Sequence, residues 1–250
     1  MAYDGSVVAC GLIRLSALWR RSGYIYAAES DAGPMQHASA GAIVRNPDDR
    51  PPWIVVDHSL ETVVIASWPG RLWRARVHEA AYEQLSTNFR RAVSVRILEE
   101  LPVSVLFGPH GREVCAVIDR AAALTFEEIE ALASAYRHEA RAAYSRAWQA
   151  WLGQTGEDHG GTLAIPLRGR ERSPVGSGFT VLHSVISEKA YAHAGTDAFT
   201  DDEDGTWLVP PWSDASSAAL QAAMAFGAPQ LVSADDAKLL TEAWTTCMKS

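Results

Sequence analysis

Residues 51–79, PPWIVVDHSLETVVIASWPGRLWRARVHE, decide the fold of the N-terminal half of this chain. The run 53–56 (WIVV) has the continuous apolar character of a buried strand. Ser59 is a favourable N-cap, and apolar residues then recur at helical spacing up to Pro69-Gly70. We therefore expect a strand, a junction at Asp57 and His58, and a helix that begins at Ser59. A strand over 62–66 stays open, since Val-Val-Ile also favours β structure.

The end of the same stretch predicts a second strand. Residues 72–77 alternate between two sets of side chains, as in a strand with one buried face. We expect Leu72, Arg74 and Arg76 to face inwards, opposite to Trp73, Ala75 and Val77.

The flanking residues extend this pattern on both sides. We expect strands at 7–15 and 24–28, and an antiparallel pair of strands, 41–45 and 53–56, joined by the turn Asn46-Pro47-Asp48-Asp49. Residues 89–101 fit both an alternating strand and a helical stripe, and the stop at Pro102 favours the helix.

The second half of the chain is predicted to be mainly helical. Thr125 and Glu128 form a capping box, and an apolar stripe continues from Ile129 to Trp151, which predicts one helix about 40 Å long. Further helices are expected at 114–122, 179–193, 215–226 and 234–247, the last capped by Ser233.

The order of strands followed by helices predicts an α+β class. We expect an N-terminal mixed or antiparallel sheet packed against a long central helix and C-terminal helices. Residues 1–153 are expected to form the α+β core and residues 154–250 a mainly helical lobe, with one single domain as the alternative.

Composition limits the possible partners and chemistry. The chain has 250 residues, is 48% hydrophobic and carries a formal net charge of -8, which argues against nucleic acid or an anionic membrane as its partner. Three cysteines and an N-terminus without a basic signal region predict a cytoplasmic protein. Only three lysines are present, which argues against Schiff-base catalysis. Ala-rich helices are compatible with a homodimer.

The strand-to-helix junction is the first candidate site. Glu61 would act as general acid or base, His58 as its partner and Asp57 as the group that orients the imidazole. The alternative is structural, with Ser59 capping a helix and Glu61 favoured by the positive helix end. Trp53, Trp68 and Trp73 are expected to cluster around this junction and to provide an aromatic wall.

Other residues are candidates for binding a substrate. Arg71 and Arg74 would hold a carboxylate, as would Arg168 and Arg170 in the Gly-rich segment 168–179. His37 and His110 lie in Gly/Pro loops, where functional residues are common. The acidic run 200–205 lacks the carboxylates that a calcium loop needs at its first and last positions. No metal and no cofactor is therefore predicted.

Three classes of function remain. The first is a cofactor-independent acid–base enzyme on a small aromatic or indolic molecule, which the tryptophans beside Glu61 and His58 and the nearby arginines favour. The composition also resembles that of stand-alone tailoring enzymes of bacterial specialised metabolism, which implies a condensing or cyclising enzyme such as a Pictet–Spengler-like one. The second class is a partner-binding or immunity-type protein without chemistry. In the third, Arg14 and Glu61 resemble the arginine and glutamate of the ADP-ribosyltransferase pattern.

Overall fold

The computed structural model describes residues 22–31, 33–65, 67–81, 88–155 and 174–248. It contains both strands and helices, as the α+β class predicts. Contacts within the chain group it into two compact units. The first comprises the described part of Met1–Val64 with Gly70–Pro102, and the second comprises Ile65–Pro69 with the described part of Val103–Ser250. The boundary expected at 153–154 lies beside residues 156–173, outside the described residues, and stays a prediction.

The first unit is a small antiparallel barrel. Its strands are β1 (Ser22–Ala28), β2 (Ile43–Arg45), β3 (Ile54–Asp57), β4 (Gly70–Ala80) and β5 (Phe89–Leu101). Pairings of β5 with β3, β3 with β1, β1 with β4 and β4 with β5 close a ring of four strands. Closure leaves fewer unpaired strand edges, which are sites of unwanted association.

The long strand β5 makes this closure possible. One edge pairs first with β3 at Phe89–Ala92 and then with β2 at Ser94–Arg96. The other edge pairs with β4, and the register passes from Ala92 directly to Ser94. Val93 is therefore the extra residue of a β-bulge, which bends a strand and increases its twist.

Alternation along the strands separates the barrel core from its outer wall. The core cluster contains Trp73, Ala75 and Val77 of β4, with Val95 and Ile97 of β5. Since side chains alternate between the two faces of a strand, Arg74 and Arg76 face outwards, and both are exposed. The expectation that these arginines face inwards is wrong.

Two further strand predictions need correction. The segments 41–45 and 53–56 do contain strands, but each pairs with β5 and not with the other. Residues 89–101 form a strand of 13 residues, so the favoured helix is wrong there. The strand at 24–28 is confirmed as β1, whereas the segment 7–15 lies outside the described residues.

The second unit contains six α-helices within the described residues. They are α1 (Gly111–Ala123), α2 (Phe126–Ala135), α3 (Ala140–Thr155), α4 (Pro174–Ala194), α5 (Trp212–Gly227) and α6 (Ala234–Cys247). A hairpin of β6 (Phe199–Asp202) and β7 (Gly205–Leu208) lies between α4 and α5. The helices predicted at 114–122, 179–193, 215–226 and 234–247 are confirmed with small changes of boundary.

The single long helix is not confirmed, because α2 and α3 are separate helices. The capping box at its start is present: Thr125 Oγ1 accepts from Glu128 N, and Glu128 Oε2 accepts from Thr125 N. Helix α2 ends at Ala135, and the next residue, Tyr136, has an extended backbone with a ψ of 136°. The apolar stripe continues past this break, so periodicity alone gave no sign of it.

Small residues let the helices of this unit approach closely. Ala140, Ala143 and Ala147 of α3 share a core cluster with Met224 and Leu240. A second contact holds the start of α2, where Phe126 stacks on His193 with ring centroids 3.9 Å apart. No helix in the described part of the chain combines the length and the apolar character needed to cross a membrane.

Candidate functional site

The predicted acid–base residues lie at the end of β3. Asp57 is the last residue of the strand and is 9% exposed, whereas His58 is half-buried. The His58 backbone N–H donates to Asn88 O at 2.9 Å. The structure therefore brings Asp57 and His58 to the start of one turn, as the sequence predicted.

That turn is shorter than expected. Leu60–Thr62 is a 3₁₀ helix of three residues, so the longer helix predicted from Ser59 is wrong. Thr62 closes the cap: its Oγ1 donates to Ser59 O at 3.0 Å and accepts from Ser59 N at 3.4 Å. The β-branched run at 63–65 favours extended backbone over a continued helix. The Glu61 side chain lies outside what the structure describes.

A single row of paired residues joins Asp57 to one of the predicted substrate-binding arginines. Asp57 pairs with Tyr24 of β1, Tyr24 pairs with Arg74 of β4, and Arg74 pairs with Glu99 of β5. Directly opposed residues share one face of a sheet. Asp57 and Arg74 are therefore on the outer face, two strand spacings or about 10 Å apart.

Arg74 is already engaged on this row. Its Nε lies 2.9 Å from Oε1 of Glu99, in an ion pair whose side chains are about half exposed. Binding a substrate carboxylate at Arg74 would require this pair to open.

Arg71 is engaged at the end of the barrel. It donates two hydrogen bonds to Glu100, at 2.8 and 2.7 Å, and its guanidinium lies 4.4 Å from the ring centroid of Trp73. These hydrogen bonds hold the pKa of Glu100 below its ordinary value. Trp73 is 1% exposed, so its ring is a core side chain covered by an ion pair, and not an open wall.

The remaining candidates lie on other elements of the chain. His37 ends the 3₁₀ helix Pro34–His37 and is exposed, whereas Trp53 directly precedes β3 and is half-buried. His110 is the N-cap residue of α1 in the second unit. Arg168 and Arg170 lie outside the described residues.

Trp68 belongs to the second unit and not to the barrel. Its Nε1 donates to Asp119 Oδ1 at 2.8 Å, and its ring meets Phe107 edge-on. The three tryptophans expected to cluster are thus divided between a barrel core, a strand end and a helical unit.

The acidic run 200–205 forms the β6–β7 hairpin. Asp202 accepts hydrogen bonds from the backbone of Asp204 and Gly205 and from Trp207 Nε1. The tryptophan bond is the main cause of a lowered pKa at Asp202. This carboxylate therefore stabilises its own turn, and no group of three metal-binding side chains occurs in the part of the chain that the structure describes.

Sequence reasoning missed the outer wall of β2, β5 and β4. Arg45 of β2 and Glu79 of β4 both pair with Ser94 of β5, and their side chains meet over it at 2.7 Å. Ser94 is 1% exposed as a result. The next outward row contains Ile43, Arg96 and Arg76. The alternation of arginines along residues 72–77 was the available signal, but it was assigned to the wrong face.

Comparison with family models, with curated proteins and with solved structures finds no match for this chain. The function is therefore inferred from the residues themselves.

Proposed function

We propose that this protein acts by binding a partner protein on the outer wall of its barrel, over β2, β3 and β5. The observation that carries the proposal is the exposure of two apolar side chains there. Ile43 is 48% exposed and Val55 is 42% exposed. Both are β-branched residues on outward strand positions.

These two side chains lie along one edge of β5. Ile43 is opposite Arg96, and Val55 is opposite Arg91. Arg91 and Arg96 are five positions apart along β5, which corresponds to about 17 Å. Partner proteins commonly cover an area wide enough to include both. Burying these side chains at an interface would remove their apolar surface from water.

The state of three predicted substrate-binding residues also favours partner binding over catalysis. Arg71 and Arg74 are held by Glu100 and Glu99, and Trp73 is buried. Groups that already satisfy one another lose those contacts when a small substrate takes their place. An exposed wall needs no such exchange.

Site-specific photo-crosslinking tests this proposal. A benzophenone amino acid at position 43 or 55 should give a discrete adduct with the partner in cells of the source organism. The matched control is position 191, where Tyr191 is a 61% exposed aromatic residue in the second unit. An adduct of twice the chain mass would identify a second copy as the partner. The same products from all three positions, or none from 43 and 55, would overturn the proposal.

Acid–base catalysis on a small aromatic molecule is the second candidate. The position of the buried Asp57 next to His58 favours it, since carboxylates and imidazoles are the side chains that most often transfer protons in enzymes. Under this hypothesis Glu61→Gln abolishes turnover while thermal stability is retained. Equal loss of activity and stability would instead make Glu61 a structural residue.

A further inference from the structure

Arg76 and Arg96 face each other across β4 and β5. They are directly opposed in the register, and both side chains are exposed. Opposed side chains on an antiparallel pair have Cβ atoms about 5 Å apart. Arg96 donates a long hydrogen bond of 3.4 Å to the carbonyl of Gly41. Ile43 completes the row on the other side of Arg96.

Such a pair is unfavourable in the free protein, since like charges directly opposed across two strands destabilise a sheet. The surrounding wall avoids this arrangement. Arg45, Arg71 and Arg74 each have a carboxylate partner, in Glu79, Glu100 and Glu99. Within the described residues, neither Arg76 nor Arg96 has one.

We infer that Arg76 and Arg96 together bind a pair of carboxylates on an acidic segment of a partner protein, with Ile43 contacting an adjacent apolar side chain. This inference rests on the proposed function and names the chemistry of the partner. A guanidinium group binds a carboxylate through two parallel hydrogen bonds. Two neighbouring arginines can therefore bind two carboxylates in this way.

The surroundings favour an acidic protein segment over nucleic acid. Carboxylates flank the arginine pair along the strands: Glu79 lies in the preceding outward row and Glu99 in the following one. A nucleic acid presents a continuous line of phosphates, which would meet the carboxylates on both sides of the arginine pair. A short segment with two acidic side chains fits between them.

Binding of defined peptides tests the inference. The probe is a fluorescein-labelled peptide of alternating leucine and glutamate, compared by anisotropy with the same peptide carrying glutamine. Arg76→Gln and Arg96→Gln should each weaken binding of the acidic peptide at least tenfold. Arg50→Gln is the control, because Arg50 is an exposed arginine on the loop between β2 and β3 with a 3.4 Å ion pair.

Three results would overturn the inference. They are unchanged affinity in both arginine variants, equal affinity for the glutamine peptide, and tighter arginine-dependent binding of a labelled single-stranded RNA. If a crosslink still forms from position 43 in these arginine variants, the proposed binding wall is retained and only the acidic chemistry of the partner is wrong. If no crosslink forms from positions 43 and 55 while Arg76 and Arg96 are both present, the proposed function itself is wrong.

A stability measurement gives an independent readout on the free protein. Arg76→Glu replaces the repulsion with a cross-strand pair like that of Arg74 and Glu99, so the melting temperature should rise by a few degrees. The acidic peptide should raise the melting temperature of the unaltered protein and leave that of Arg76→Glu unchanged. A fall in melting temperature for Arg76→Glu would contradict the repulsion from which the inference starts.

Discussion

Gly23 occupies the tightest point between β1 and β3. A Cβ atom at this position would lie 2.1 Å from the carbonyl oxygen of Asp57 and 2.9 Å from Val56 Cγ1. The same two strands are joined by the pairing of Tyr24 with Asp57. The absence of a side chain at residue 23 therefore lets the barrel close beside the predicted acid–base residues.

We predict that Gly23→Ala lowers the free energy of unfolding by about 2 kcal/mol, because the strands must separate to admit a methyl group. Gly33→Ala is the control, since its Cβ would meet its nearest atom, Asp31 Oδ1, at 3.4 Å. That change should stay within about 0.5 kcal/mol of the unaltered protein. Urea unfolding followed by tryptophan fluorescence measures the free energy of unfolding of both variants. Equal changes in the two would show that a methyl group fits between β1 and β3, and would contradict the prediction.

At the scale of single residues, the sequence identified Asp57 and His58 as neighbours at a strand end but misplaced the arginines. Strand alternation divides residues into two sets and does not say which set is inside. The aromatic and aliphatic set of Trp73, Ala75 and Val77 has the larger apolar surface, and burying it decides the orientation. Ion pairs such as Arg74 with Glu99 form only after the strands are paired, so the sequence alone did not predict them.

At the scale of elements, α1 and α2 are joined by a charged contact. Arg120 of α1 forms an ion pair with Glu128 of α2, and Glu128 also accepts the capping hydrogen bond from Thr125 N. The hydrogen bond from Arg120 is the main cause of a lowered pKa at Glu128. The ionised carboxylate is therefore more favourable in the folded protein than in the unfolded chain.

This lowered pKa predicts a specific response to acid. The stabilisation by Glu128 is present above its ordinary pKa of 4.5 and is lost as the pH falls through the lower folded value. Glu128→Gln keeps an oxygen that can accept from Thr125 N but removes the titration. Its melting temperature should fall less than that of the unaltered protein between pH 6 and pH 3. Glu130→Gln, on the same helix, should follow the unaltered protein, and identical curves for all three would contradict the prediction.

The elements also show where sequence patterns are ambiguous. In β5, Val93, Val95 and Ile97 fit both a strand and a helical stripe, and pairing with three neighbouring strands decided the outcome. Tertiary pairing commonly overrides local preference in such cases. The capping signals at Thr125 and Ser233 were reliable because a cap depends on residues within one turn.

At the scale of the whole molecule, binding and catalysis predict different responses to small ligands. The chain has nine tryptophans, so its fluorescence reports on changes around many of its aromatic side chains. Trp73 is shielded by the ion pair of Arg71 with Glu100, and a ligand would have to displace that pair to reach it. A partner-binding wall requires no pocket for a flat aromatic molecule.

We therefore expect indole, tryptamine, aromatic amino acids and nucleotides to quench the tryptophan fluorescence without saturation. The fluorescence ratio without and with ligand should rise linearly with ligand concentration, with the slope of collisional quenching of solvent-exposed tryptophans. N-acetyltryptophanamide measured under the same conditions corrects for absorption of light by the ligand. Saturable quenching by one aromatic molecule, lost in His58→Ala but kept in His138→Ala, would favour the acid–base enzyme over the binding protein. His138 is a suitable comparison because it is an exposed histidine between α2 and α3 and is not one of the candidate site residues.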